Sequence, residues 1–110
     1  YNQAVLNGKL LYTSGQIAIN PKNGVLVLDN IKAETKQVME NLKAVLKAAN
    51  MDFSNVIKTT IFISDMNNFS HINEVYGNYF DDASAPARET VQVAKLPKNV
   101  HVEISMIAVK

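Results

Sequence analysis

The sequence predicts an α+β domain in which two helices pack on one face of a mixed β-sheet. Apolar residues recur at helical spacing in two segments, other segments are rich in β-branched and aromatic residues, and turn-forming residues separate them. The expected order is β-β-β-α-β-α-β-β. The 110 residues fit one domain, residues 1–110. Two helices with this many strands imply a sheet with helices on one face.

The first part of the chain is predicted to form three strands. Leu10 to Ser14 and Ile17 to Ile19 have strand composition. Pro21-Lys22-Asn23-Gly24 is a turn signal, because proline fixes φ and Asn-Gly accepts positive φ. Val25 to Leu28 is therefore predicted as the second arm of a hairpin.

A helix follows this hairpin. Asp29 or Asn30 can cap it, because a short side-chain oxygen accepts an orphan amide hydrogen. The apolar positions at helical spacing are Ile31, Thr35, Val38, Leu42, Val45, Leu46 and Ala49. The positions expected on the solvent side are Glu34, Lys36, Glu40 and Lys43. Asn50 is a plausible left-handed stop.

The middle of the chain predicts a strand and a second helix. Val56 to Ser64 is β-branched and aromatic, which favours a strand. Asp65 or Asn67 can cap the helix that follows. Its apolar face is expected to contain Phe69, Ile72, Tyr76, Tyr79 and Phe80. Residues 81–86 are expected to form a loop.

The last two strands are Glu89 to Val93 and Val100 to Val109, with a Leu-Pro turn between them. Alternate side chains of the final strand point to opposite faces. The set suited to the helix-packed face is Val102, Ile104, Met106 and Ala108. The other set is mixed and consists of His101, Glu103, Ser105, Ile107 and Val109. A mixed face of this kind suits a subunit interface that also contains a polar site, so we expect an oligomer.

Composition excludes several classes of function. Hydrophobic residues make up 47% and charged residues 19% of the chain, and the net charge is +1 with no dense basic stretch. We therefore do not expect nucleic acid as a partner. No apolar run reaches transmembrane length and no signal-peptide pattern occurs, so a cytoplasmic location and no membrane partner are expected. Because the chain opens at Tyr1 instead of methionine, we expect a further segment to precede it.

Metal and thiol chemistry are not expected. The chain has no cysteine and only two histidines, which are far apart in sequence. No histidine pair has ligand spacing, so we predict no metal site. A phosphate-binding loop and a Gly-x-Ser-x-Gly elbow are also missing from the sequence.

Two charged residues are the main candidates for chemistry. Arg88 leaves a proline-stiffened loop and enters a strand, where its planar fork of donors could bind a carboxylate; the alternative is a surface salt bridge. Glu103 lies within an otherwise apolar strand, and burial would raise its pKa toward the range of a general acid or base. The alternative for Glu103 is an exposed or ion-paired side chain.

Other polar residues give weaker signals. Gly15, after Ser14, could bring the backbone close to a ligand, or it could mark a strand bulge. Tyr1 could offer its phenol to a ligand or simply pack. Asn73 is expected to be solvated on the second helix. His101 could be a hydrogen-bonded partner of Glu103, although a structural role is commoner for a lone histidine.

The same residues carry a family resemblance across essentially the whole chain. The segment from Arg88 through Leu96-Pro97-Lys98 to Val102-Glu103-Ile104 resembles the C-terminal signature of the Rid/YjgF family. Further matches, in the expected order, are Thr13-Ser14-Gly15-Gln16-Ile17, Asn20-Pro21, Asn41-Leu42, Val56-Ile57-Lys58-Thr59-Thr60 and Asn73-Glu74-Val75-Tyr76.

The resemblance implies a chorismate-mutase-like α+β fold and a homotrimer with three intersubunit clefts. It implies hydrolysis of 2-iminobutanoate and 2-iminopropanoate to 2-keto acids and ammonia, with no cofactor. By position, Arg88 would bind the substrate carboxylate and Glu103 would handle the water and its proton. The residues implied to line the cleft are Tyr1, Ser14, Gly15 and Asn73, with a backbone contact from Thr90.

The chain departs from the family pattern beside the arginine. Thr90 stands where many members have cysteine, so the resemblance supports a role for its backbone only. Glu89 stands where a small residue is common and would weaken anion binding if it faced the same way as Arg88. Strand alternation predicts that it faces the opposite way.

Two other functions remain open from the sequence. One is an endoribonuclease or single-stranded RNA binder, an activity attributed to some relatives. The other is a non-enzymatic protein that binds a small carboxylate and regulates a partner.

Overall fold

The computed structural model describes every residue from Tyr1 to Lys110. Its helices and strands are β1 (Ala4–Asn7), β2 (Leu10–Thr13), α1 (Ile31–Ala48), β3 (Val56–Ile63), α2 (Phe69–Gly77), β4 (Ala87–Gln92) and β5 (Val102–Val109). The strands form one sheet in the order β1-β2-β5-β3-β4. Strands β3 and β4 are parallel, and the other neighbours are antiparallel. The predicted α+β class with a mixed sheet is confirmed.

Both helices pack on one face of this sheet, as predicted. The buried side chains of β5 alternate as expected and join a single apolar core with side chains of α1, α2 and β3. The members from β5 are Val102, Ile104, Met106 and Ala108. The intervening side chains of β5 face the other side of the sheet and are only partly buried. This second face is where the candidate site begins.

Helix α1 begins and ends at polar residues that the sequence identifies. The side chain of Asn30 accepts a 2.8 Å hydrogen bond from the amide of Ala33, which makes Asn30 the cap rather than Asp29. Asn50 has a φ of 58°, the left-handed conformation expected of a helix stop. Neither helix is long and apolar enough to cross a membrane.

The prediction that Glu34 faces solvent was wrong. Glu34 is 1% exposed and packs between α1 and the start of β5. One carboxylate oxygen accepts hydrogen bonds from the amides of His101 at 2.7 Å and Val102 at 3.2 Å. The other oxygen lies 2.8 Å from Nδ1 of His101. Burial of this carboxylate is possible because three donors replace its water.

The predicted strands Ile17 to Ile19 and Val25 to Leu28 do not form a regular hairpin. This region has only single bridges, between Gln16 and Ile104 and between Ile19 and Leu26. The Asn41 side chain donates to the carbonyls of Ile17 at 3.1 Å and Ile19 at 2.8 Å. These carbonyls are thus satisfied by α1 instead of by a neighbouring strand.

Strand β1 was not predicted. It pairs antiparallel with β2 across a turn in which Gly8 has a φ of 64°. Most of its side chains are exposed. The observed order is therefore β-β-α-β-α-β-β.

Helix α2 is shorter than predicted. Asp65 caps a short 3-10 turn, Met66–Asn68, and α2 begins after it. The helix ends at Gly77, so Tyr79 and Phe80 lie beyond it, although both still pack against the core. The amides of Tyr79 and Phe80 bond three residues back, which marks the end of the α-helical pattern.

Candidate active site

An open cleft of about 800 Å³ borders β5 and the residues that follow β2. Four residues predicted for a site line it: Tyr1, Ser14, Gly15 and Glu103. Sequence reasoning missed other polar lining residues, namely Gln3, Gln16, Asn41 and Lys98. Gln16 adjoins the Ser-Gly pair and Lys98 belongs to the turn before β5, so adjacency to the singled-out motifs is the signal that could have found them. No group of three or more histidine, aspartate and glutamate side chains is placed to hold a metal ion.

Glu103 is a carboxylate without a partner of its own. It lies between two buried residues of β5 and so points to the face away from the helices. Its side chain makes no hydrogen bond or ion pair with the protein. Partial burial raises the pKa of Glu103 above its ordinary value, because burial disfavours the charged form. The carboxylate is therefore available to a ligand and is a stronger base than one in water.

Gly15 gives the Glu103 carboxylate its place. A Cβ atom at Gly15 would lie 2.5 Å from Oε2 and 2.7 Å from Cδ of Glu103. Such distances are shorter than van der Waals contact, so only glycine accommodates this side-chain position. Close approach is therefore the structural reason for glycine here.

We expect Gly15→Ala to displace the Glu103 carboxylate. Turnover in the imine hydrolysis that the resemblance implies should then fall, because small misplacements of a reacting group cost up to about 100-fold in rate. The obstructing atoms belong to a flexible side chain, so little loss of folding stability is expected. Steady-state kinetics and thermal unfolding measure the two effects. The matched control is Gly77→Ala, where nothing lies within 4 Å of the new methyl group. Equal turnover of both variants would contradict the packing argument.

Hydrogen bonds hold the N-terminal segment beside the cleft. The amide of Ser14 donates to the carbonyl of Gln3 at 2.8 Å, and its hydroxyl donates to the carbonyl of Asn2 at 2.5 Å. The Gln16 side chain donates to the Gln3 side chain at 2.9 Å. Tyr1 extends from this anchored segment and is fully exposed.

Arg88 forms the second half of the predicted site, at the edge of the sheet. From β4 it donates through Nη1 to Oδ1 of Asn73 at 2.5 Å. Its guanidinium carbon lies 5.1 Å from the ring centre of Tyr76 and 5.8 Å from that of Phe69. Arg88 makes no ion pair, so the surface salt bridge considered from the sequence is not formed. Asn73 is exposed on α2, as expected, and its side chain is also the partner of the arginine.

Glu89 faces away from Arg88, as strand alternation predicts. Its carboxylate lies 3.5 Å from the Lys58 ammonium and accepts a 3.3 Å hydrogen bond from the Thr60 hydroxyl. These contacts place Glu89 on the face opposite Arg88. The departure from the family pattern at this position therefore leaves the guanidinium free of a neighbouring carboxylate.

Arg88 and Glu103 lie on opposite faces of the sheet in one chain. Arg88 pairs with Thr59 of β3, whose side chain is buried beneath α2 and bonded to Tyr76. Glu103 pairs with Phe62, whose side chain points to the face of the sheet away from the helices. A single chain therefore brings Glu103 together with Tyr1, Ser14 and Gly15, but not with Arg88 and Asn73.

Thr90 follows Arg88 by two residues and faces the helices. Its hydroxyl oxygen is buried without a hydrogen-bond partner. Such a group loses its hydration and gains nothing in exchange, which costs about 1 to 3 kcal/mol. Thr90 does not line the cleft of a single chain.

We expect Thr90→Val to raise the free energy of unfolding by about 1 kcal/mol, since it removes the unpartnered hydroxyl at nearly constant shape. Denaturant unfolding measures this change. The imine hydrolysis that the resemblance implies should stay unchanged, because the backbone is kept. Thr60→Val, which removes an exposed hydroxyl bonded to Glu89, is the control and should give no such gain. Loss of turnover in Thr90→Val would instead show that the hydroxyl takes part.

His101 does not bond to Glu103. Its ring nitrogen and its amide both contact Glu34, so the bond to Glu103 considered from the sequence is not formed and the structural alternative agrees with the contacts. His101 lies just before the first residue of β5, beside the buried Glu34 carboxylate. The contacts of His101 therefore connect the start of β5 to α1.

Comparison with protein families places the whole chain in one of them. The family described as Endoribonuclease L-PSP matches residues 1–110. The 2-iminobutanoate/2-iminopropanoate deaminase of Rattus norvegicus is 47% identical over 110 residues, covering 100% of this chain and 80% of the relative. The RutC family protein slr0709 of Synechocystis is 49% identical, covering 99% and 85%.

Solved structures share the fold throughout. The crystal structure of E. coli TdcF with bound serine is 43% identical in sequence, with a TM-score of 0.93. The match covers 100% of this chain and 87% of the TdcF chain. The E. coli YjgF gene product is 41% identical with a TM-score of 0.93, at 100% and 87% coverage. The fold expected from the resemblance is therefore confirmed.

Proposed function

We infer that this chain, which belongs to the Rid/YjgF family, hydrolyses reactive 2-imino acids to 2-keto acids and ammonia. Family membership follows from the full-length family match and from relatives nearly half identical to the chain. Relatives from rat, mouse and human are named 2-iminobutanoate/2-iminopropanoate deaminase. Others are named only as RutC family proteins, so the activity is our proposal for this chain.

One observation carries the proposal: the chain presents a guanidinium and a carboxylate that its own fold leaves unpaired. Arg88 is held by Asn73 and two aromatic rings but by no carboxylate. Glu103 is half-buried with a raised pKa. A 2-imino acid needs both groups, one for its carboxylate and one to move protons at its C=N carbon. The TdcF structure with bound serine shows that a similar protein binds a small molecule of the amino-acid type.

The site is proposed to form between copies of the chain. Arg88 and Glu103 face opposite sides of one sheet, so only a neighbouring copy can bring them together. The sheet face that carries Glu103 also exposes the apolar side chains of Val5 and Tyr12. These two residues pair with each other, and Tyr12 pairs with Ile107 of β5. Exposed apolar surface of this kind favours association. We propose a homotrimer with three equivalent clefts, which sedimentation would detect as three times the 12.2 kDa chain mass.

The proposed reaction uses one carboxylate twice. Arg88 holds the substrate carboxylate while Glu103 takes a proton from water, whose oxygen bonds to the imine carbon. Glu103 then returns the proton to nitrogen to give a carbinolamine, and next carries the hydroxyl proton to the same nitrogen as the C–N bond breaks, C=O forms and ammonia leaves. The substrate hydrolyses slowly unaided, so positioning supplies a large part of the rate. No step requires a cofactor.

A coupled assay tests the function directly. A threonine dehydratase releases 2-iminobutanoate, and 2-ketobutyrate formation is followed with and without this protein. Faster formation is expected. Unchanged formation together with tight binding of 2-ketobutyrate would favour the non-enzymatic carboxylate binder.

Endoribonuclease activity is the second candidate, because the family description names it. The near-neutral charge gives little attraction for a phosphate backbone. Incubation of purified protein with single-stranded RNA tests it. Cleavage that disappears in Glu103→Gln would support a nuclease that uses the same cleft.

A further inference from the structure

We propose that Glu34 is a positioning residue, which fixes the Glu103 carboxylate against Gly15 by anchoring the start of β5 to α1. The inference rests on the proposed function, in which Glu103 moves the protons. Glu34 is the one fully buried carboxylate of the chain, and the proposed mechanism does not use it.

The Glu34 carboxylate takes the place of a missing strand. On the β5 edge that faces β2, Ile104 exchanges hydrogen bonds with Gln16 at 2.8 and 3.1 Å. The segment that follows Gln16 makes no further backbone hydrogen bond to β5. The next amide on this edge, that of Val102, therefore has no strand partner. Glu34 accepts from this amide at 3.2 Å and from that of His101 at 2.7 Å.

Glu103 lies between these two anchors. Gln16 holds the residue after it, and Glu34 holds the residue before it. The opposite edge of β5 pairs with β3 at Glu103, and the turn before β5 holds two residues at positive φ, Lys98 at 56° and Asn99 at 57°. Loss of the Glu34 anchor would therefore leave the start of β5 held by β3 on one edge only, next to Glu103.

Three substitutions of Glu34 separate its positioning role from its charge. Glu34→Gln keeps an oxygen for both amides and turns its NH₂ group to His101, whose ring nitrogen accepts in its other tautomer. Glu34→Met has similar length but no acceptor. Glu34→Ala leaves room for water to accept the hydrogen bonds of the two amides. This variant is therefore expected to fold even if Glu34→Met does not. Thr35→Val, a buried neighbour bonded only within α1, is the control.

The coupled assay should show near-normal kcat for Glu34→Gln and Thr35→Val. For Glu34→Met and Glu34→Ala, we expect about tenfold lower kcat with little change in KM, because Glu103 is misplaced while the arginine clamp is intact. Equal kcat in all four variants, or loss in Glu34→Gln as large as in Glu34→Met, would overturn the proposal.

A second measurement is independent of the enzymatic activity. Titration of the ¹³C-labelled Glu103 carboxyl by NMR reports its surroundings. In Glu34→Met or Glu34→Ala, the midpoint should move down toward the ordinary glutamate value, because a loosened carboxyl gains water. In Glu34→Gln it should stay at the wild-type value. An unchanged midpoint in every variant refutes the positioning role even if no deaminase activity is found, whereas the wild-type assay alone decides the proposed function.

Discussion

Replacing Arg88 by alanine is expected to lower kcat/KM about 100- to 10,000-fold in the coupled imine assay. Two charge-assisted hydrogen bonds to the substrate carboxylate are lost, each worth about 1.5 to 3 kcal/mol. The fold should survive, because the Arg88 side chain is exposed and bonds only to Asn73. Thermal unfolding and sedimentation should therefore match the wild type.

Two further variants make this expectation specific. Lys95→Ala removes one positive charge from an exposed residue of the same region and should leave the rate unchanged. Arg88→Lys retains the charge but loses the planar fork, so an intermediate loss is expected. Activity of Arg88→Ala within twofold of the wild type would refute the carboxylate clamp.

The sequence predicts the fold best where a local pattern decides the structure. The alternation of β5 is correct because one side of the strand is packed by helices, so its period of two is imposed by burial. The helix stop at Asn50 is correct because few residues tolerate a positive φ. Both features leave a local signal in the sequence, the alternation of apolar residues in β5 and the asparagine that follows α1.

The errors occur where a distant partner decides the structure. Ile17 and Ile19 have strand composition, but the Asn41 side chain of α1 takes their carbonyls. Glu34 was placed on the solvent side by residue type, although it lies three residues after Ile31 and four before Val38, the spacing of the buried face. Amides near residue 101 justify its burial, and no local pattern reveals them.

The candidate site divides in the same way. Residue chemistry identified Arg88 and Glu103, and the resemblance added Ser14, Gly15 and Asn73. Their placement on two faces of one sheet could not be read from the sequence, because it depends on the pairing of β3 with both β4 and β5. The strand pairing places Arg88 and Glu103 on opposite faces of the sheet, and this placement leads to the proposal of a cleft between subunits.

Glu103→Gln is expected to lower kcat about 100- to 10,000-fold, the usual contribution of a general acid–base group, with little change in KM. Glutamine has nearly the same shape but cannot take the proton from water. The wild-type rate should fall as the pH falls through the pKa of Glu103, which burial raises above its ordinary value. Any residual activity of the variant should lack this acid limb.

Folding stability should respond in the opposite direction. Because the folded-state pKa of Glu103 is raised, its stabilising contribution is complete below the unfolded pKa and is lost as the pH rises through the folded pKa. Glutamine does not ionise, so the variant escapes this loss. At pH 8, Glu103→Gln should be at least as stable as the wild type, which denaturant unfolding measures.

Mixed oligomers test both residues at once. Arg88→Ala and Glu103→Gln, each nearly inactive alone, are co-refolded in equal amounts. Every mixed trimer then contains one cleft with an intact Arg88 from one copy and an intact Glu103 from the next, so about a quarter of wild-type activity should return. A site within one chain would give no recovery, since no copy has both residues. Absence of recovery in verified mixed trimers would therefore refute the intersubunit cleft.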